Sequence, residues 1–179
     1  MKKIDIILSI VCGLAVAWVA SDFFSKYTSI FYIALPLLSI IGLWVSELIG
    51  KRFLFIYQSG KFVLVGAFAD VIDIKVFQML ILLAPFSLVF KAVSFLLATA
   101  IKYLTNKHWV FEKHDGNETI KFFLVTIVGL TIDVVSFYYL KNIQIGISAS
   151  LWLELSIIFA ALITAVWNFL GYKLLVFKK

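Results

Sequence analysis

The sequence predicts an all-α polytopic membrane protein of six transmembrane helices, the last four forming two parallel two-helix repeats, with both termini cytoplasmic. Three observations predict it. First, 63% of the 179 residues are hydrophobic, 15% are charged and the mean hydropathy is +1.07, more apolar surface than a soluble domain of this length can hide. Second, the apolar residues fall into six runs, each near the roughly 20 residues that a spanning helix needs. Third, the basic residues sit between those runs with a strong bias to one side. The formal charge of +6 therefore reflects membrane orientation rather than a nucleic-acid patch. The aromatic share of 17%, with eighteen Phe, suits side chains lying against lipid and at its interfaces. Cys12 is the only cysteine, which excludes an intramolecular disulfide and a cysteine metal site. His108 and His114 stand too far from other ligands to hold a metal.

The spans follow in order. Lys2-Lys3 and Ala15-Val16-Ala17 imitate a signal peptide, but the apolar run continues to Phe24, so Ile4–Phe24 is read as an uncleaved first span. Ser25-Lys26-Tyr27-Thr28 is a polar turn. The second span, Ser29–Ile49, contains Pro36, expected to kink it and tolerated within a membrane. Gly50-Lys51-Arg52 stops that span, and the third is Phe62–Leu83. Ala84-Pro85 makes a tight reversal, because proline cannot continue helical hydrogen bonding. The fourth span is Phe86–Val110. Glu112 to Thr119, with Asp115-Gly116-Asn117, is a hydrophilic loop, and Ile120–Leu140 and Ser150–Val176 complete the set.

With the N-terminus cytoplasmic, twelve of the sixteen basic residues face inward, including Lys2, Lys51, Lys61, Lys107, Lys121 and Lys173. Only Lys26, Lys91 and Lys141 face outward, and Lys75 lies within a span. Each loop obeys the positive-inside rule. Five spans would break the alternation.

A shift of sixty residues sets Lys61-Phe62-Val63-Leu64-Val65 on Lys121-Phe122-Phe123-Leu124-Val125 and Ile72-Asp73 on Ile132-Asp133. The partner helices align Lys107-His108-Trp109-Val110-Phe111 with Lys173-Leu174-Leu175-Val176-Phe177. Each unit holds two spans, so both enter from the same side as parallel repeats. The Lys-Phe start, Gly66, Asp73, Ser94-Phe95-Leu96-Leu97-Ala98-Thr99 and Asn106-Lys107-His108-Trp109-Val110-Phe111 resemble the GtrA-like family. The resemblance implies a four-helix membrane domain, at residues 59–179 with repeats at about 60–111 and 120–177, preceded by a two-helix addition at 1–58. It also implies a role in bacterial cell-envelope polysaccharide glycosylation, flipping a polyprenyl-phosphate-linked sugar or assisting the enzymes that use one. The chain departs from the family at Asp70 and at Lys102-Tyr103, where the second copy keeps Asn168-Phe169. Asp70 and Lys102 lie at similar depth on adjacent helices and are expected to form an intramembrane ion pair.

Ionisable groups inside a membrane are costly and mark paths or sites. Asp70, Asp73 and Asp133, with Asn106 and Asn168, are the expected polar path for a sugar head group, since hydroxyls donate to carboxylates. A pseudo-twofold axis would bring Asp73 and Asp133 to one central site. The alternative role for these groups is interhelical glue. Lys61, Lys107 and Lys121 at a basic rim, with Lys102 deeper, are the expected phosphate ligands, although orientation and anionic lipid also account for lysines there. Trp109 and Trp152 are read as interface anchors. Gly129, Ala160, Ala161 and Ala165 offer small-residue contacts to a second copy.

No P-loop or Walker motif is present, no catalytic residue or cofactor is expected, and no loop is long enough for an enzymatic domain. The leading expectation is an ATP-independent translocator of a polyprenyl-phosphate monosaccharide in the bacterial plasma membrane. Its expected partners are that lipid, a membrane glycosyltransferase and a second copy of the chain. A subunit that recruits a glycosyltransferase and a proton-coupled exporter of small cations are the alternatives.

Overall fold

The computed structural model describes residues 1–83, 87–113, 116, 118–143 and 149–178. Six long helices carry them: α1 (Lys3–Phe23), α2 (Thr28–Gly50), α3 (Leu54–Ile81), α4 (Ser87–Thr105), α5 (Thr119–Lys141) and α6 (Ala149–Gly171). The described residues contain no strand. Among the described residues, four stretches are long and apolar enough to cross a membrane: α1, Ser25–Gly50, α5 and Phe159–Val176. The apolar stretch of α3 is interrupted by Asp70, Asp73 and Lys75. The expected reversal at Ala84-Pro85, and His114, Asp115 and Asn117 of the polar loop, lie outside the described residues.

Helix ends follow local chemistry. Asp5 in the first turn of α1 accepts the Lys2 backbone N–H at 2.9 Å, satisfying a donor that a helix start leaves open. Pro36 is accommodated within an unbroken α2. Ser39 donates to the carbonyls of Pro36 at 2.8 Å and of Ser9 at 2.6 Å, so the hydroxyl near the proline also ties α2 to α1. The two helices approach closely at Gly13, where a Cβ would stand 2.4 Å from Pro36 Cα. Helix α3 begins at Leu54, well before the expected span start at Phe62. Hydropathy marks where the apolar run begins, while Leu54-Phe55-Ile56-Tyr57 already propagates the helix.

Both repeat hairpins end in a widened, π-helical turn. After α4, Asn106–Val110 closes with Phe111 N–H donating to Asn106 O at 2.9 Å. After α6, Tyr172–Val176 closes with Phe177 N–H donating to Tyr172 O at 2.7 Å. These are the stretches that the sequence alignment superposes, so the likeness extends to an uncommon backbone conformation.

The chain forms two compact units, Met1–Glu112 and Lys113–Lys179. The first contains α1 to α4 and the second contains α5 and α6. The boundary expected at residue 58 falls inside the continuous helix α3. The first two helices are thus built into the same unit as the first repeat, with α1 packed on both α2 and α3.

Candidate functional site

In the first unit, the starts of α1 and α3 and the end of α4 enclose a charged network. Asp5 is fully buried, and Lys61 is 1% exposed. Asp5 Oδ1 accepts the Lys61 ammonium at 2.9 Å and the Trp109 indole N–H at 2.7 Å. Its Oδ2 accepts the Tyr57 hydroxyl at 2.6 Å and the Lys2 N–H at 2.9 Å. Burial and the Asp5 carboxylate raise the Tyr57 pKa, so that phenol stays protonated and donates. Lys61 also donates to the Trp109 carbonyl at 3.4 Å and lies 4.4 Å from the Tyr57 ring centroid. Glu112, whose φ of 49° is rarely adopted by a side-chain-bearing residue, follows the widened turn. Its carboxylate bonds Lys2 at 2.7 Å and stands 3.8 Å from Lys61.

This arrangement corrects two expectations. Lys61 is not on an exposed basic rim: its ammonium is sealed beneath Asp5, Tyr57 and Trp109. Trp109 is 6% exposed, so it is a buried hydrogen-bond donor rather than an interface anchor. Farther along the same two helices, Lys75 pairs with Asp22 and its ammonium lies 4.3 Å from the Trp18 ring centroid. The partner that α3 itself did not supply comes from α1. Asp5 and Asp22 are about 25 Å apart along their helix, Lys61 and Lys75 about 21 Å, so α1 and α3 run side by side with an ion pair near each end.

In the α3–α4 hairpin, the Asp70 carboxylate exerts an electrostatic attraction on the Lys102 ammonium. Asp73 Oδ1 accepts the Ser94 hydroxyl at 2.6 Å. Asn106 is fully buried, donates through Nδ2 to Lys102 O at 2.8 Å, and leaves its Oδ1 without a partner among the described residues. Lys107 is 7% exposed and its ammonium lies 5.8 Å from the Tyr103 ring centroid, so it too lies beneath the surface.

In the second unit, α5 and α6 face each other through three polar rungs, each one helical turn from the next. Thr126 and Tyr172 share a hydrogen bond of 2.7 Å. Asp133 accepts the Thr164 hydroxyl at 3.2 Å. Between them Asn168 is 8% exposed, and its Oδ1 has no partner among the described residues. It is seated on Gly129, where a Cβ would lie 2.3 Å from that oxygen. Gly129 thus admits the Asn168 amide within the hairpin, which removes it from the small-residue face offered to a second copy. Ala160 is 1% exposed and is likewise withdrawn from that face. Trp152 donates to the Leu140 carbonyl at 2.8 Å, fastening the end of α5. Lys121 is exposed, unlike Lys61, the residue it matches in the repeat.

Each hairpin therefore pairs its repeated aspartate with a hydroxyl from the partner helix. Each also holds one buried amide oxygen without a donor, from Asn106 and from Asn168. The sequence reading missed Asp5, Asp22, Tyr57 and Trp18. Two acidic residues near opposite ends of the first apolar run, facing two lysines spaced similarly along α3, were the signal that could have found them.

The family described as GtrA/DPMS, transmembrane domain, matches residues 61–177. No curated protein and no solved structure gives a significant match.

Proposed function

Because the chain belongs to the GtrA/DPMS transmembrane-domain family, we propose that it is an ATP-independent translocator of a polyprenyl-phosphate-linked monosaccharide. In this reading it serves cell-envelope polysaccharide glycosylation in the bacterial plasma membrane. The observation that carries the reading is the repeated carboxylate–hydroxyl pair, Asp73 with Ser94 and Asp133 with Thr164. A carboxylate accepts several hydrogen bonds, and a passing sugar hydroxyl can replace the weak serine or threonine donor without exposing a bare charge to lipid. The amide oxygens of Asn106 and Asn168 add an acceptor within each hairpin. Lys121, exposed in the second unit, attracts the phosphate to the membrane surface, and Lys102 offers a cation deeper in the first hairpin. The prenyl chain stays in the bilayer, so only the head group needs a polar route.

The same pairs also favour a second reading, in which these groups hold the hairpins together and the protein recruits a glycosyltransferase. Reconstitution separates the two. Vesicles containing the wild-type chain should flip a fluorescent polyprenyl-phosphate sugar without ATP. Asp73→Asn and Asp133→Asn, which keep an acceptor for Ser94 or Thr164, should each slow flipping at least tenfold. Wild-type flipping no faster than in empty vesicles, with glycosyltransferase binding intact, would establish the recruiting role instead.

A further inference from the structure

The environment of Asp5 is that of a bound anion. Four donors from three parts of the first unit converge on one carboxylate: the Lys61 ammonium, the Trp109 indole, the Tyr57 phenol and the Lys2 backbone N–H. Lys61 and Trp109 are 1% and 6% exposed, so the donors are held in place rather than gathered from a mobile surface. Glu112, 3.8 Å from the Lys61 ammonium, is a further anion at the site. Lys61, Tyr57 and Trp109 belong to the first repeat and its lead-in, whereas Asp5 comes from the N-terminal hairpin. A buried carboxylate needs several donors to satisfy both its oxygens, and a phosphate, with oxygens to satisfy on several sides, takes a fork of donors of the same kind.

We propose that Lys61, Tyr57 and Trp109 form an anion pocket for a phosphate ester, and that Asp5 is its resident occupant, holding it closed. Withdrawing the carboxylate would let a phosphate oxygen take the same donors. The N-terminal hairpin then controls whether the first repeat accepts a phosphate, while Lys121 of the second repeat remains open. The prenyl character of the ester rests on the translocator reading; the pocket itself does not.

The test uses the full chain in phosphatidylcholine nanodiscs, with farnesyl phosphate, inorganic phosphate and farnesol as probes. Asp5→Asn removes the resident charge and should bind farnesyl phosphate at least tenfold more tightly than wild type. It should also gain thermal stability from the ligand, and Lys61→Gln in that background should abolish both gains. A gain confined to farnesyl phosphate identifies a lipid ester, and an equal gain for inorganic phosphate identifies a free anion; farnesol should gain in neither case. Asp5→Ser, which leaves more room, is the second variant. Folded Asp5→Asn and Asp5→Ser with no gain, or a gain that survives Lys61→Gln, would overturn the pocket. So would failure of both variants to fold even with the anion present, since the site would then require a carboxylate. Wild-type flipping no faster than in empty vesicles, with pocket binding as expected, would overturn the translocator reading and leave this result standing, so the two ideas fail separately.

Discussion

Lys61→Met is the most informative single change to the fold. It removes the ammonium from a buried carboxylate and keeps a side chain of similar length. Breaking one member of a buried ion pair typically costs about 3–5 kcal/mol. Here Asp5 retains the Tyr57, Trp109 and Lys2 donors, so the loss should fall near the lower bound, about 3 kcal/mol. Asp5→Asn leaves the opposite charge buried, with the Trp109 carbonyl at 3.4 Å and Glu112 at 3.8 Å as its remaining acceptors, and should lose a similar amount. The double variant buries no net charge, and its amide oxygen still accepts from the phenol or the indole. It should lose about 2 kcal/mol or less, giving a coupling of about 4 kcal/mol or more. Unfolding by sodium dodecyl sulfate in mixed micelles, followed by far-ultraviolet circular dichroism, measures all four proteins. Single losses below about 0.5 kcal/mol, or losses that simply add, would refute the claim that the pair is desolvated and mutually dependent.

Other changes probe separate links. Lys75→Met should cost only about 1 kcal/mol in the same unfolding assay, because Asp22 is 38% exposed and screened; a loss equal to that of Lys61→Met would contradict the exposure argument. Gly13→Ala places a methyl 2.4 Å from Pro36 Cα, and backbone cannot swing aside. It should destabilise the α1–α2 contact by about 1–3 kcal/mol, read as a lower detergent midpoint; an unchanged midpoint would mean that the helices separate freely. Asn168→Leu removes an amide oxygen that has no donor. Stability should therefore change by less than about 1 kcal/mol while vesicle flipping falls severalfold, and a stability loss above about 2 kcal/mol would instead assign Asn168 to packing.

Much of the fold was legible because membrane spans are written in hydropathy and their ends in turn residues. Five of the six helices begin within a residue of the expected position. The exception, α3, starts early because the lead-in Leu54-Phe55-Ile56-Tyr57 has helical propensity without belonging to the spanning run. The matched Lys-Phe and Ile-Asp pairs are a correspondence in sequence, and the widened turns at Asn106–Val110 and Tyr172–Val176 were not legible in it, since a π turn changes hydrogen bonding without needing a distinctive residue. The Asp70–Lys102 attraction could be read because both residues lie on neighbouring helices at countable depth. The Asp5 network could not, because its members are 52 and 104 residues apart, and only the packing of α1 against α3 shows that a lysine expected at a lipid surface is enclosed. A charge rule orients the chain, but it does not distinguish a lysine at the membrane face from one buried a turn away.

The two hairpins differ most where the first carries Asp70 and Lys102 and the second carries Leu130 and Asn168. If the charges serve each other, replacing both at once should convert the first hairpin into a likeness of the second. Asp70→Leu with Lys102→Asn should then fold with a detergent midpoint close to wild type. Lys102→Asn alone removes the cation that attracts the exposed Asp70. It should be destabilised by about 2.5–3.5 kcal/mol, the insertion cost of a charge near the centre of a bilayer. Flipping then separates pairing from transport. Recovery of both stability and flipping in the double variant would make the charges a private structural pair. Recovery of stability without flipping would assign Lys102 to the path of the phosphate, since Asn168 shows that an amide at the equivalent position satisfies the fold. Equal destabilisation of the single and double variants would refute the pairing, and would mean that Lys102 is held by groups other than Asp70.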